Sequence, residues 1–261
     1  MVEDINVTLP DKNVMLSALV RRSGGEWVFC LHGIQTNKTL FSGLLNNPNF
    51  DGYSFLCPDF IGFGDSEKPN DFSYDLQEQM GVIVALLDHM EIDRVLLVGH
   101  SLGGMVGTMM LRDIPDRVSA FCSIEGNLRL DDCGASREAV DVSQNEFEKG
   151  AYPNLMEALQ NSQKASAGVR FNALAQVPAH VFYKTSRSIV AYSKDARLFD
   201  VFCKSNVCRM LLVGENGSFS SRPTGDDLQI VSISNAGHFV PLDNPAQFER
   251  TLLSFLLSTR S

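Results

Sequence analysis

Residues Gly99-His100-Ser101-Leu102-Gly103 carry the clearest chemical signal in this chain. Four apolar residues (95–98) precede them, and a small-residue run, Gly103-Gly104-Met105-Val106-Gly107, follows. An apolar strand, then Gly-x-Ser-x-Gly, then a helix is the layout of a nucleophile elbow. A serine on so sharp a turn sits in a crowded backbone, and glycines two before and two after it remove the β-carbons that would collide. The turn lifts the Ser101 hydroxyl into a cleft. It also points the Leu102 N–H, at a helix N-terminus, toward any oxyanion that forms. A serine hydroxyl is a poor nucleophile at neutral pH, so it needs a base, and the base needs an acid to orient it. Of the five histidines, His238 in Asn235-Ala236-Gly237-His238-Phe239-Val240-Pro241 is the expected base. Its loop follows the last expected strand and so reaches the C-terminal edge of a parallel sheet, where ligands bind. His32 and His100 flank glycine turns and are expected to organise the site by hydrogen bonds, while His89 and His180 are expected to be structural.

The elements that must position these groups are short. Residues 27–31, 53–57, 95–98, 118–124, 208–213 and 228–233 read as buried strands, and 14–20 as an edge strand. Helices are expected from Lys38 to before Pro48, over 73–90 with Leu76, Met80, Val84 and Leu87 on one stripe, over 101–112, and from Pro245 to about Leu257. Apolar strands alternating with helices mean an α/β fold with a parallel sheet covered on both faces. The alternation breaks between Glu125 and about Asn206, where helical patches at 152–160 and 186–199 have no clear buried strand between them. That stretch reads as a helical cap: residues 1–125 and 206–261 form the core and 126–205 the insertion. Apolar cap residues, among them Met156, Phe182 and Tyr183, are candidates to line a substrate pocket together with Phe239.

Composition narrows the classes of partner. The 261 residues are 44% hydrophobic and 20% charged, ordinary for a globular chain with a large core. Lys and Arg number 22 against 31 Asp and Glu, a net charge of −9 that disfavours nucleic acid and anionic membrane surfaces. The acidic start Met1-Val2-Glu3-Asp4 reads as neither a signal peptide nor a membrane span. Six cysteines include no C-x-x-C pair, and three lie in apolar strand-like runs, which points to reduced thiols and a cytoplasmic protein. A small-molecule substrate and a monomer or homodimer are expected.

The ordered set His32-Gly33, Asp59-x-x-Gly62-x-Gly64-x-Ser66, Gly99-His100-Ser101-Leu102-Gly103-Gly104 and Gly237-His238-Phe239 resembles the α/β-hydrolase family over nearly the whole chain outside the cap. The resemblance implies a mostly parallel eight-stranded sheet with helices on both faces and a helical cap. It implies a Ser–acid–His triad and an oxyanion hole built from the backbone N–H groups of Ile34 and Leu102, to which Gln35 adds a side-chain donor. Asp59 and Ser66 are expected to brace the strand ends. Many members read Gly-Glu-x-Asp after the seventh strand, with the Asp as triad acid; this chain reads Gly214-Glu215-Asn216-Gly217. The best alternative is Glu125, ending the sixth strand, where some relatives, including many haloalkane dehalogenases, place the acid. Glu215, Asp226, Asp227 and Asp243 remain alternatives. The implied reaction is hydrolysis of a small or medium, largely apolar ester, thioester or lactone through an acyl-enzyme, with no metal or organic cofactor. Related dehalogenases and epoxide hydrolases use an aspartate at the elbow, so a serine there argues against their chemistry. Carbon–carbon bond hydrolysis, a lyase, a cofactor-free dioxygenase and a small-molecule receptor are the rival readings.

Overall fold

Strand β1 (Val2–Leu9) pairs antiparallel with β2 (Val14–Arg21), and β2 pairs antiparallel with β4 (Ser54–Pro58). All further pairings are parallel, through β3 (Trp27–Leu31), β5 (Val95–His100), β6 (Val118–Ile124), β7 (Cys208–Gly214) and β8 (Leu228–Ile233). The order across the sheet is β1-β2-β4-β3-β5-β6-β7-β8. The structure, a computed structural model, describes residues 1–195, 197–217 and 219–259. Residues 14–20 read as an edge strand but do not form the sheet edge. Instead β1 lies outside β2, its burial alternating irregularly and its acidic Glu3 and Asp4 exposed. Charged residues on an edge strand keep its unpaired backbone from recruiting another chain, and the same charges hide such a strand from an apolar-run search.

Helices α1 (Ser42–Asn46), α2 (Leu76–His89) and α3 (Leu102–Asp113) follow β3, β4 and β5. Between β6 and β7 stand α4 (Gly134–Val140), α5 (Gln144–Glu146), α6 (Tyr152–Gln160), α7 (Ala165–Leu174), α8 (Ala179–Ser193) and α9 (Arg197–Lys204). The patch expected at 186–199 is therefore two helices, and Ala196 lies outside the described residues. After β8 come α10 (Val240–Asp243) and α11 (Pro245–Ser258). Pro245 opens α11, where a missing N–H costs nothing, and the Asn244 side chain caps it by accepting from the Gln247 N–H.

The central strands are buried on both faces, which is why they read as unbroken apolar runs. In β3, Phe29 and Leu31 pack toward the layer that contains α2, α3 and α8, while Val28 and Cys30 pack toward α1 and α11. Strand β5 repeats the alternation with Leu97 on the first side and Leu96 and Val98 on the second. Val181, Phe182, Ile189, Leu198 and Phe202, from α8 and α9, share one apolar cluster with Phe60 and Phe121 beside the sheet. The helices between β6 and β7 are thus packed onto the sheet layer by continuous apolar contact. Among the described residues no helix is long and apolar enough to cross a membrane.

Candidate active site

Ser101 is the hinge residue between β5 and α3, at φ 51° and ψ −110°. Its N–H donates to the Ile124 carbonyl at 2.9 Å, and the Gly103 N–H donates to the His32 carbonyl at 3.1 Å. The elbow is therefore pinned to both neighbouring strands. A β-carbon at Gly103 would lie 2.1 Å from the Leu31 carbonyl oxygen, so only glycine lets α3 start this close to β3. The Leu102 N–H is the first of the helix's donors, which have no intrahelical acceptor. The Ile34 N–H, on the loop after β3, likewise has no partner among the described residues. The Ser101 hydroxyl donates to Asn127 Oδ1 at 3.1 Å. The Asn127 amide is oriented by its Nδ2, which donates to the Asp132 carbonyl at 2.7 Å.

His238 reaches the same place from the loop after β8. Its Nδ1 lies 3.2 Å from Glu125 Oε2. Glu125 follows β6 immediately, at the left-handed φ of 50°, and its N–H donates to the Leu212 carbonyl. Its Oε1 accepts from the Gly214 N–H at 2.8 Å, so both oxygens of this buried carboxylate have donors facing them. The other carboxylates lie elsewhere. Glu215 is exposed and accepts from the Asn235 N–H. Asp226 and Asp227 precede β8, at the far end of the sheet. Asp243 accepts from the Gly237 N–H at 2.9 Å, bracing the His238 loop. A β-carbon at Gly217 would sit 2.8 Å from Glu125 Oε1, so the space an aspartate would need there is already taken by Glu125. No hydrogen bond joins Ser101 to His238 among the described residues, because the hydroxyl is turned to Asn127. Such bonds are often absent until substrate is present.

Two further histidines hold the frame. His32 is wholly buried; its Nδ1 donates to the Gly33 carbonyl at 2.8 Å, and its Nε2 accepts from the Phe60 N–H at 3.1 Å. It ties the loop after β3 to the loop after β4, whose own brace is Asp59, which accepts from the Lys38 and Asp65 N–H groups. Ser66 completes that brace by donating to the Asp59 carbonyl at 2.8 Å. His100 Nε2 lies 2.9 Å from the His238 carbonyl, a contact that requires its proton on Nε2 and leaves the buried Nδ1 without a partner. Burial, reinforced by the nearby His238, pushes the His100 pKa down to about 3. A folded value below the unfolded one means that the unfolded chain takes up a proton that the native state refuses once pH falls below about 6.5. The stability from the neutral ring is present above that pH and is lost as pH falls toward 3. Between pH 7 and 5, wild-type stability is expected to lose up to about 1.4 kcal/mol per pH unit relative to His100→Gln, which keeps a donor but cannot titrate. Urea midpoints of the two proteins at matched ionic strength measure this; parallel profiles would contradict the neutral buried ring.

Ser101 and His238 open onto a cavity of about 190 Å³, also lined by Ile34, Gln35, Asn127, Arg170 and Phe239. This is smaller than the roughly 300–1,000 Å³ of drug-sized pockets. A larger open groove of about 1110 Å³, with Val118 and Cys208 in its wall, lies at the N-terminal ends of β6 and β7, remote from Ser101. Of the residues singled out from sequence, Gln35 and Phe239 are in the cavity wall, with the Gln35 oxygen accepting from Arg170; Met156, Phe182 and Tyr183 are not in it. Phe182 is buried against Phe147 and Tyr152, Tyr183 donates to the Val142 carbonyl, and Met156 packs on the apolar cluster. Helical periodicity marks an apolar face but not which neighbour it meets. Sequence reasoning missed Asn127, Asp132 and Arg170. Asp132 is buried in the cavity wall and gathers donors from Ser220 and Ser221, which ties the chain after β7 to the start of the helical segment. No local motif announces these three; the one signal was that Asn127 stands two residues after Glu125.

A family model described as alpha/beta hydrolase fold matches residues 26–179. The chain is 40% identical over 74 residues to epoxide hydrolase 2 of Siraitia grosvenorii, a stretch that covers 28% of this chain and 23% of that protein. It is 37% identical over 94 residues to haloalkane dehalogenase 2 of Mycobacterium bovis, covering 36% and 32% respectively. The matched stretches thus span about a quarter to a third of these curated relatives. A thermophilic esterase from Thermogutta terrifontis superposes with a TM-score of 0.80 over 99% of this chain and 100% of the other, at 17% identity. At that identity the likeness is one of fold.

Proposed function

Because this chain belongs to the alpha/beta hydrolase fold family, we propose that it is a serine hydrolase that cleaves a small or medium carboxylic ester, thioester or lactone through an acyl-enzyme. Ser101 is the nucleophile, His238 the base and Glu125 the acid. The observation that carries this reading is the contact between His238 Nδ1 and the buried Glu125 carboxylate, beside an elbow serine in a strained backbone. The carboxylate holds the Nδ1 proton, which leaves Nε2 free to accept one. A substrate carbonyl entering the cavity draws the Ser101 hydroxyl from Asn127 toward that nitrogen. Oγ attacks the carbonyl carbon, His238 takes the proton, and the Ile34 and Leu102 N–H groups receive the oxyanion. Loss of one such donor typically costs about 3–4 kcal/mol of transition-state stabilisation. His238 then protonates the leaving group, and water activated by the same ring releases the acid.

On this reading residues 1–125 and 206–261 are the hydrolase core, and 126–205 form a cap that closes the cavity through Cys133, Ser136 and Arg170. Epoxide opening and dehalogenation, the activities in the names of the two curated relatives, proceed in related enzymes through a carboxylate nucleophile. A hydroxyl at position 101 supports acyl transfer instead.

The test is labelling with a neutral fluorophosphonate, the adduct being located by mass spectrometry. Rapid modification of Ser101, abolished in Ser101→Ala and His238→Ala, is the expected result. Folded wild-type protein that stays unlabelled would remove acyl-enzyme chemistry and raise the lyase, dioxygenase and receptor readings.

A further inference from the structure

We propose that Arg170 is the recognition site for a carboxylate carried by the substrate, so that this enzyme acts on small acyl compounds bearing an anionic end. The inference rests on the serine-hydrolase reading for the reaction but not for the binding. Arg170 projects from α7 into the same cavity as Ser101 and His238. Its guanidinium is held in place twice. Nε donates to Gln35 Oε1 at 2.8 Å and Nη2 donates to the same oxygen, while the group lies 4.4 Å over the Phe239 ring. These contacts fix its position without neutralising it. Gln35 follows Ile34 and Phe239 follows His238, so the cation is anchored to the two loops that carry the proposed oxyanion donor and base.

The charge has no counter-ion of its own. Arg21, Arg22, Arg112, Arg117, Arg137 and Arg197 each face a carboxylate within 4 Å, and the buried Arg209, which faces none among the described residues, donates instead to the carbonyls of Phe202, Cys203, Val207 and Asp226. Arg170 has no such carboxylate among the described residues, and its Nη1 makes no hydrogen bond there. The one carboxylate in the cavity wall, Asp132, is saturated by donors from Arg129, Ser220 and Ser221. Asp243 acts only from a distance and is committed to the Gly237 N–H. Burial lowers the Arg170 pKa, and the distant Asp243 offsets this only in part. A half-buried, unpaired charge is costly unless an anion completes it. A planar guanidinium with free donors suits a carboxylate best. Gln35, Asn127, Ser136 and Arg170 supply polar groups to a cavity whose remaining wall includes the apolar Ile34 and Phe239. The small volume limits the distance between the anion and the scissile carbonyl to a few carbon atoms.

The test uses the turnover-inert Ser101→Ala protein and titration calorimetry. Monomethyl malonate, monomethyl succinate and monomethyl glutarate serve as probes, each compared with its uncharged dimethyl ester. The best-fitting half-ester is expected to bind about 10- to 100-fold more tightly than its diester, the range of a charge-assisted pair. Arg170→Gln is expected to bring the half-ester down to the diester's affinity. Arg170→Lys, which retains the charge but not the fork, is expected to keep part of the preference, which distinguishes lost charge from lost fold. Equal affinities across all three pairs in the Arg170 protein, or a preference that survives Arg170→Gln, would overturn the proposal. Fluorophosphonate labelling of wild-type protein reads Ser101 and not Arg170, so a failure of the serine chemistry and a failure of the anion site are separately visible.

Discussion

Glu125→Gln is expected to lower turnover of an activated ester such as p-nitrophenyl acetate by about 10⁴-fold while the protein stays folded. The size follows from a proton's position. Glu125 Oε1 accepts from the Gly214 N–H, and Oε2 faces His238 Nδ1. In the glutamine variant the backbone N–H of Gly214 can only donate, so it selects the amide oxygen. The –NH₂ end is then turned to His238 and forces Nδ1 to accept. The imidazole proton moves to Nε2, where it faces Ser101 and cannot take the hydroxyl proton. The side chain keeps its shape and the Gly214 contact, so thermal unfolding should change little. Glu215→Gln is the matched control: that carboxylate is exposed and bonded to the Asn235 N–H, and its loss should alter turnover by a small factor. Near-normal turnover in Glu125→Gln would sink Glu125 as the acid, and a large loss in Glu215→Gln would move the assignment there.

Gly103→Ala is expected to be among the most damaging single methyls in the chain. The new β-carbon would lie 2.1 Å from the Leu31 carbonyl oxygen and 2.5 Å from its carbon, both backbone atoms of a central strand. A side chain could rotate away; a strand paired on both sides cannot. Separating α3 from β3 would also break the bond from the Gly103 N–H to the His32 carbonyl and so displace Ser101. A cost of about 3 kcal/mol, the upper end of the usual scale for overpacking that moves backbone, is expected. At this size that lowers the melting temperature by roughly 10 °C, and fluorophosphonate labelling should fall even below the transition. Gly168→Ala makes the contrast. Gly168 lies within α7 with nothing near its β-position, so alanine there should stabilise by about 0.5–1 kcal/mol. Comparable melting temperatures for the two variants would mean that the elbow is looser than its geometry implies.

The fold was legible wherever local chemistry and global position agree. Strands β3, β5 and β6 are buried on both faces and so show as apolar runs. Strand β1 did not, because an exposed edge tolerates Glu3 and Asp4 and gains from them. In the helical segment, α6 and parts of α8 and α9 could be read, α4, α5 and α7 could not, and the facing of none could. Met156, Phe182 and Tyr183 looked as fit for a cavity as any residue, yet packing among Phe147, Tyr152 and the rest of the segment turned them away from it.

The candidate site divides along the same line. Ser101 between its glycines, and His238 after the last strand, depend on a turn of a few residues, and short-range sterics write that requirement into the local spelling. The contact of Glu125 with His238 spans 113 positions, and that of Gln35 with Arg170 spans 135. No local rule specifies either. The missing aspartate at Gly217 showed that an acid had to come from elsewhere; only the packing of β6 against β7 shows Glu125 filling the space that a side chain at Gly217 would need. The uncompensated charge of Arg170 was likewise invisible, because whether a cation has a partner depends on which distant carboxylates are already committed. Sequence by itself determined the sheet's central strands, the elbow and the histidine loop, since these rest on backbone sterics and burial along a few residues. Tertiary structure decided which carboxylate meets the histidine and which cation faces the cavity, since both depend on through-space distances set only when the sheet and the helices over it close together.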